Sequence, residues 1–271
     1  MPVTPAHAVV ALPSWRGGRW WAAAVVAGSV APDLSRFWPF VRDGSATAGL
    51  HDAAHSLFGA LTIDLVAGVA LLVAWVFLVR PTLVDVGPDV VVARLATPAT
   101  RPTGWPLVLG TTLAVLAGAL SHVALDAAVD RELGQWSMPV FESMSGGRIL
   151  QYALSVLGVA WLGWEVVRFL RRPRHPAPRL IGPVGRALVV TALAAVAVAA
   201  GCGRLSEFAS PREGIRLYGT MAFQGSVRAV SVLGLVVLVG SAVWSGGARR
   251  RRVRRAGMHA GACAGEVGAA R

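Results

Sequence analysis

One apolar run restricts the fold of this chain more than any other feature. Residues 57–79 contain a single ionisable side chain, Asp64, in an otherwise apolar sequence. At about 1.5 Å of rise per residue, a helix of this length crosses the roughly 30 Å hydrocarbon core of a bilayer. Comparable runs occupy residues 105–125, 149–170, 184–203 and 227–244. The sequence therefore predicts an all-α, polytopic membrane bundle, and Asp64 is expected to face its interior because a carboxylate is costly in lipid.

A sixth apolar segment, residues 19–31, is too short to span a bilayer unless it tilts or thins the membrane locally. The arginine at its start and the small residues at its end also describe a signal peptide with a cleavage site near Ala31. Pro32 follows at once, and proline is unfavourable at a cleavage junction, so we favour a retained helix. The bundle then has about six apolar segments, and the first is short or re-entrant.

The composition favours a membrane protein over a nucleic-acid-binding protein. Hydrophobic residues make up 55% of the 271-residue chain and charged residues 15%, against about 25% charged in soluble domains. The formal net charge is +12, and the basic residues are all arginines that cluster at the ends of apolar runs. This is the positive-inside pattern, so the predicted partners are membrane lipids and not nucleic acid.

The arginines also predict which side of the membrane each connection faces. Residues 168–186 carry six and the tail after residue 248 carries seven, whereas 33–55, 127–148 and 204–226 carry two, two and three. With six alternating segments, both termini are cytoplasmic. Residues 1–245 are predicted to form a transmembrane helical domain, and 246–271 a basic, disordered cytoplasmic tail. Residues 34–54 are predicted to form a polar connector and residues 80–104 a loop.

Two residue pairs with helical spacing are the main candidates for a functional site. His51 and His55 lie at positions i and i+4, as do His122 and Asp126, so each pair projects from one helix face. On the predicted topology these residues and Asp33 all lie on the non-cytoplasmic side. Imidazoles and carboxylates together bind zinc, or manganese where carboxylates dominate. The pattern predicts a divalent metal site in which the two pairs supply ligands and Asp33 acts as a further ligand or as general base.

Other polar residues extend the predicted pocket. Ser56, Gln151 and Asp64 lie on the same predicted side of the membrane or just inside it. His7 joins the metal ligands only if residues 5–31 form a re-entrant hairpin that opens to that side. The site prediction therefore includes all four residues, with His7 as a ligand and the others as pocket residues.

The sequence contains no serine nucleophile elbow, cysteine–histidine arrangement, phosphate-binding glycine loop or dinucleotide fingerprint, and no inverted repeat of the kind found in transporters. Two functions stay open. One is metal-dependent hydrolysis of a lipid or another membrane-proximal ester or phosphoester. The other is a non-enzymatic scaffold or small permease, in which the histidines and aspartates only hydrogen-bond between helices.

Five sequence stretches, in order along the chain, carry a family resemblance. They are MPVTPAHAVVALP at 1–13, GSVAPDL at 28–34, AHSLFGALTIDL at 54–65, GALSHVALDAAVD at 118–130 and LQYALSVLG at 150–158. Together they resemble the membrane proteins grouped as domain of unknown function 4184, over about residues 1–240. The resemblance implies a multi-pass membrane protein and no established activity.

These motifs are in turn similar to those of inner-membrane metal-dependent hydrolases, which have an early histidine, a Pro-Asp pair, a His-Ser pair and an SHxxxD motif. The resemblance implies that the corresponding residues of this sequence share those roles; they are His7, Asp33, His55, His122 and Asp126. Those hydrolases have a second acid two residues after the Pro-Asp aspartate, whereas this chain has Ser35. His51 lies outside the motif, so its assignment depends on spacing alone.

Overall fold

The structure, a computed structural model, describes residues 19–37, 45–95, 103–131, 146–171, 181–202 and 225–247. Within these ranges the chain is helical and contains no strand. The elements in chain order are α1 (Arg19–Val30), a 3-10 turn (Ala31–Phe37), α2 (Ser45–Ala54), α3 (Leu57–Leu61), α4 (Ile63–Val86), α5 (Asp89–Leu95), α6 (Trp105–Arg131), α7 (Gly146–Leu170), α8 (Pro183–Cys202) and α9 (Gly225–Gly247).

Five helices in the described part of the chain are long and apolar enough to cross a membrane: α4, α6, α7, α8 and α9. Large apolar side chains are exposed along them, as expected of surfaces that face lipid. α1 has 12 residues and rises about 18 Å, which is less than the thickness of a bilayer core. The prediction of an all-α polytopic bundle with a short first segment is confirmed.

α1, α4 and α6 pack together around a core in which backbones touch. Val115 of α6 is fully buried in this core. A Cβ atom at Gly28 would overlap the carbonyl oxygen of Val115, and one at Gly118 would overlap that of Val25. Small residues allow the same close approach in other membrane helix pairs. Glycine at these two positions therefore fixes how α1 lies along α6.

α1 and α6 run in the same direction. Near the start of α1, Nε1 of Trp20 donates a hydrogen bond to Oγ1 of Thr111 over 3.0 Å. Near its end, the carbonyl oxygen of Ser29 lies 2.7 Å from Nδ1 of His122. The chain that leaves α1 at Asp33 is thus delivered to the part of α6 that carries His122.

α4 runs antiparallel to α1 and α6. Gly68 of α4 packs against Gly28 of α1 and Val115 of α6. One turn before Gly68 on α4, Asp64 interacts electrostatically with His122, which lies almost two turns after Val115 on α6. The start of α4, the end of α1 and the second half of α6 therefore lie at one end of the bundle, which we call the site end.

The opposite end of the bundle, which we call the arginine end, joins α4 and α5 to the last three helices. Its contacts are Arg186 with Asp89, Arg94 with the carbonyl oxygen of Leu170, and Nε1 of Trp244 with Oδ2 of Asp85 at 3.0 Å. Because the contacts involve the end of α7, the start of α8 and the end of α9, successive long helices alternate in direction, as a polytopic membrane chain requires.

The prediction that residues 80–104 form a loop is wrong for much of that range. α4 continues through Pro81 to Val86, and α5 covers Asp89–Leu95. A π-helical turn at Trp75–Val79 directly precedes Pro81. Its wider winding accommodates the proline, which lacks an N–H and whose ring would clash with the preceding turn of an α-helix. The helix ends only where Gly87 and Pro88 follow each other.

Two other boundary predictions have different outcomes. The predicted connector at 34–54 contains a regular helix, α2, as well as most of the 3-10 turn. The division into a domain at 1–245 and a tail at 246–271 stays a prediction, because residues 248–271 lie outside the described ranges.

Candidate metal centre

Four ionisable side chains from three separate segments meet at the site end. Asp33 lies in the 3-10 turn, His55 at the corner between α2 and α3, and His122 and Asp126 one turn apart on α6. Nε2 of His55 is 3.7 Å from Oδ1 of Asp33 and 3.6 Å from Oδ2 of Asp126. Nε2 of His122 is 3.9 Å and 3.6 Å from the same two oxygens. We call these four residues the His/Asp group.

The His/Asp group is shielded from solvent. The side chain of His122 is fully buried, those of Asp33 and Asp126 nearly so, and that of His55 is 13% exposed. His122 lies about six residues, or roughly 9 Å, inside the end of the candidate span at Ala128. The group therefore lies just inside the bundle, and His55 is on its most open side.

A sharp corner between two short helices holds His55 in place. Gly59 packs so closely on the α2 backbone that a Cβ atom there would overlap the carbonyl oxygen of Ala53. Oγ of Ser56 accepts a hydrogen bond from the Gly59 N–H over 2.9 Å and donates one to the Ala53 carbonyl over 2.6 Å. Ser56, one of the predicted pocket residues, thus caps α3 and fixes the backbone next to His55.

Backbone carbonyls set the tautomer of both imidazoles in the group. Nδ1 of His122 lies 2.7 Å from the carbonyl oxygen of Ser29, and Nδ1 of His55 lies 2.9 Å from that of His51. A carbonyl oxygen only accepts, so each Nδ1 must carry the proton that it donates. In the neutral rings Nε2 then bears the lone pair, directed toward the two carboxylates. This is the arrangement found in histidines that bind metals.

The separations between these donor atoms fit a single divalent cation. Asp33, His55 and His122 offer ligand atoms that all lie within 4.8 Å of one another. A tetrahedral ion with bonds near 2.1 Å places its ligand atoms about 3.4 Å apart. The separations of 3.6 to 3.9 Å between imidazole and carboxylate atoms are close to that value. Asp33, His55 and His122 can therefore hold a metal ion, and Oδ2 of Asp126 lies 3.6 Å from both imidazole nitrogens.

The electrostatic environment of His55 favours positive charge. Burial alone lowers the pKa of this imidazole, but the polar contacts with Asp33 and with the His51 carbonyl, together with the charges of Asp33 and Asp126, outweigh it. The pKa of His55 therefore lies above its ordinary value of 6.5. The two carboxylates that favour an imidazolium also favour a divalent cation between them.

His51, predicted as a ligand from its spacing, lies beside the group and makes different contacts. Its ring centroid is 4.0 Å from that of His55, and its Nδ1 is 3.3 Å from Oγ of Ser35. Its carbonyl oxygen is the acceptor that orients His55. Ser35 is thus a partner of His51.

The remaining predicted site residues fall into two groups. Asp64 is fully buried in the first turn of α4 and interacts electrostatically with His55 and His122, so it lies next to the His/Asp group. The side chain of Gln151 and the whole of His7 lie outside the described residues, and their predicted roles stay predictions.

Ser29, whose carbonyl oxygen orients His122, was not among the predicted site residues. A backbone acceptor has no side-chain signature, which is why residue types alone did not identify it. The available signal was Gly28 directly before it, since glycine marks the point where α1 lies against the α6 backbone.

Comparison with other proteins gives one match. No curated protein and no solved structure matches the chain. The profile of a family described as Domain of unknown function (DUF4184) matches residues 1–245. This range contains every member of the His/Asp group, and it ends at residue 245, just before the end of α9 at Gly247. Because the match covers most of the sequence, this protein, a multi-pass membrane-like helical chain, belongs to the family described as Domain of unknown function (DUF4184).

Proposed function

We propose that this protein is a membrane-embedded hydrolase that depends on a divalent metal ion, either zinc or manganese. The observation that carries the proposal is the convergence of two imidazole nitrogens on two carboxylates at 3.6 to 3.9 Å inside a helical bundle. Backbone carbonyls hold both imidazoles in the tautomer that suits a ligand. The similarity of these residues to the motifs of inner-membrane metal-dependent hydrolases supports the same conclusion.

Charge balance supports a divalent ion at this place. Asp33 and Asp126 carry two negative charges when ionised, and buried carboxylates are costly unless something compensates them. One divalent ion would neutralise both, and the neutral imidazoles of His55 and His122 would bring the protein ligands to four, so that activation of water requires a fifth coordination position. Zinc accepts this mixture of nitrogen and oxygen, and manganese accepts it where carboxylates dominate.

When bound, such an ion supplies Lewis-acid activation of water and of a substrate carbonyl or phosphoryl oxygen. The residues around it orient the reactants and move protons. His122 closes the buried side of the site, and His55 lies on the side that a substrate can reach. We assign Asp33 as general base, because it lies in the 3-10 turn and has a second carboxylate oxygen to accept a proton. His51, half-buried beside His55, supplies a further imidazole that exchanges protons with water.

Exposed apolar side chains beside His55 support a lipid substrate. Leu57 is 66% exposed and Phe58 is 74% exposed, and both follow the Ser56 cap directly. Apolar side chains in such a position are favourable where they contact lipid at the membrane surface. A lipid held there would bring its headgroup to the level of His55. We therefore propose a membrane lipid as substrate, cleaved at an ester or phosphoester bond near the headgroup.

Lipid hydrolysis by the reconstituted protein tests this function. In vesicles of phosphatidylethanolamine and phosphatidylglycerol supplied with zinc or manganese, the wild-type protein is expected to release fatty acid or a water-soluble headgroup, as measured by mass spectrometry. Asp33→Asn removes a proposed ligand as well as the general base, so it is expected to slow this release by at least the roughly 10²- to 10⁴-fold that loss of a base alone causes. Asp52→Asn, which changes an exposed carboxylate on α2, is the matched control. Intact lipids after incubation with metal-loaded wild-type protein would exclude this substrate class.

We also propose that the site end faces away from the cytoplasm. The support is that more of the described arginines lie at the arginine end than at the site end, as the positive-inside rule expects of a cytoplasmic face. Those at the arginine end are Arg19, Arg80, Arg94, Arg168, Arg171 and Arg186, and those at the site end are Arg36, Arg131, Arg148 and Arg228.

Cysteine accessibility in whole cells measures this orientation. In a background with Cys202→Ser and Cys263→Ser, a cysteine is introduced at the site end by Asp52→Cys or at the arginine end by Thr103→Cys; both positions are exposed. A membrane-impermeant maleimide is expected to label the first variant in intact cells and the second only after permeabilisation. The reverse pattern would refute the proposed orientation.

The alternative function is a non-enzymatic scaffold or permease in which His–Asp pairs connect helices. The separations of 3.6 to 3.9 Å also fit ion pairs between an imidazolium and a carboxylate. This fit is the observation that supports the alternative. It predicts folded protein that contains no metal, in which Asp126→Asn lowers the melting temperature and changes nothing else.

A further inference from the structure

Asp64 is a buried carboxylate that the proposed metal ligation does not use. Its relative exposure is 0%, and among the residues that the structure describes neither of its oxygens has a hydrogen-bond partner. Asp85, near the other end of the same helix, is nearly as buried but accepts a hydrogen bond from Nε1 of Trp244 at 3.0 Å. The two aspartates of α4 thus differ in one respect: Asp85 is hydrogen-bonded and Asp64 is not.

The position of Asp64 suggests why a buried carboxylate without hydrogen bonds occurs there. It lies in the first turn of the α4 segment Ile63–Ala74, which packs against α1, the 3-10 turn and α6. These are the elements that carry three of the four members of the His/Asp group. Within the described part of the chain, His55 and His122 are the titratable residues that interact electrostatically with Asp64. The carboxylate therefore lies next to the two imidazoles of the group.

Burial of an ionised carboxylate without hydrogen bonds destabilises the folded protein. The partial positive charge at a helix N-terminus offsets some of this cost, but it acts near the surface and is a smaller effect than desolvation. Groups that destabilise a fold persist where the surrounding structure gives them a function. In a membrane span, such a residue marks a functional site with a partner of opposite charge. Here the nearest place for that partner is the cation position of the His/Asp group.

We propose that Asp64 is a positioning residue of the cation site: it binds no ion itself, and its charge raises the affinity of the His/Asp group for a divalent ion. The inference rests on the proposed metal binding. Asp33 and Asp126 balance two positive charges, and Asp64 adds a third negative charge nearby in a medium that screens weakly. A doubly charged ion gains twice as much from that charge as a monovalent one. Asp64 therefore favours divalent over monovalent cations.

The proposal predicts opposite effects of Asp64→Asn on metal binding and on metal-free stability. Affinity for zinc, measured by competition with a fluorescent chelator in detergent, is expected to fall by about 10- to 100-fold, the range for residues behind a metal's direct ligands. The stoichiometry is expected to stay at the wild-type value. The melting temperature of the metal-free protein is expected to rise by a few degrees, because an amide is less costly to bury than a carboxylate.

Asp85→Asn is the matched control, since it makes the same change at a buried position roughly 30 Å away along α4. It is expected to leave zinc affinity unchanged and to lower the melting temperature, because it weakens a hydrogen bond. Should Asp64→Asn give too little folded protein, Asp64→Ala provides the affinity measurement.

Each outcome separates this inference from the proposed function. If wild-type protein binds zinc and Asp64→Asn binds it equally well, the role of Asp64 is refuted and the metal site stands. A lower stoichiometry in Asp64→Asn would make Asp64 a direct ligand and also refute the proposal. If wild-type protein binds no divalent ion, both ideas fail. A lower melting temperature in metal-free Asp64→Asn would show that the carboxylate stabilises the fold, against the proposal.

Discussion

His122→Ala combined with Asp126→Ala is expected to give protein that still inserts into membranes but no longer retains a metal ion. The two changes remove one imidazole and one carboxylate from the four proposed ligands, and because alanine replaces two polar residues of α6 they leave this span apolar. We expect zinc affinity to fall by at least about a thousandfold, which corresponds to roughly 4 kcal/mol. The metal content that remains after size-exclusion chromatography, measured by inductively coupled plasma mass spectrometry, tests this prediction directly.

Two further variants make this result interpretable. Asp126→Asn keeps the shape of the side chain, so a loss of metal from this variant cannot be attributed to a cavity. Asp52→Asn changes an exposed carboxylate close to His51 in sequence and should retain the full metal content. If the double variant keeps as much metal as the wild-type protein, the ion is held elsewhere and the assignment of the ligands fails.

Gly118→Ala is expected to destabilise the protein severely, although it adds only one methyl group. The new Cβ would overlap the carbonyl oxygen of Val25 and crowd the backbone of Ser29. Backbone cannot move aside as a side chain can, so α1 must shift away from α6. Overpacking in cores costs about 1–3 kcal/mol or more. The shift also moves the Ser29 carbonyl that orients His122, so we expect metal affinity to fall with stability.

Gly163→Ala makes the same substitution at a helical position where a Cβ would meet nothing within 4 Å. Alanine is a better helix former than glycine by about 0.5–1 kcal/mol, so this control is expected to be neutral or slightly stabilising. Thermal unfolding in detergent, followed by circular dichroism, compares the two. Equal melting temperatures for both variants would contradict the close contact between α1 and α6.

The apolar runs predicted the fold because a bilayer leaves a chain few alternatives. A long apolar run in lipid must satisfy its backbone polar groups internally, and a helix does so. The boundary at residue 80 was wrong because the prolines, glycines and arginines of residues 80–104 predicted a loop. The π-helical turn at Trp75–Val79 that accommodates Pro81 has no signature in residue types. A short-range rule thus failed where the backbone could adjust.

Candidate site residues were predictable from helical spacing, but their distinct roles were not. The i, i+4 rule placed His122 and Asp126 together because both lie on one helix. The same rule made His51 equivalent to His55, whereas the corner between α2 and α3 gives them different partners. Which atoms of His51 and Ser29 face the imidazoles depends on helix packing across the chain. Sequence spacing within one helix contains no information about it.

The central claim is that Asp33, His55, His122 and Asp126 together bind one divalent metal ion. The most direct test is the metal-to-protein ratio of wild-type protein purified in detergent without chelators, determined by inductively coupled plasma mass spectrometry. We predict about one zinc or manganese ion per chain, removed by a strong chelator and restored when either ion is added back. Folded protein that contains no divalent metal, and that takes up neither ion on addition, would contradict this account.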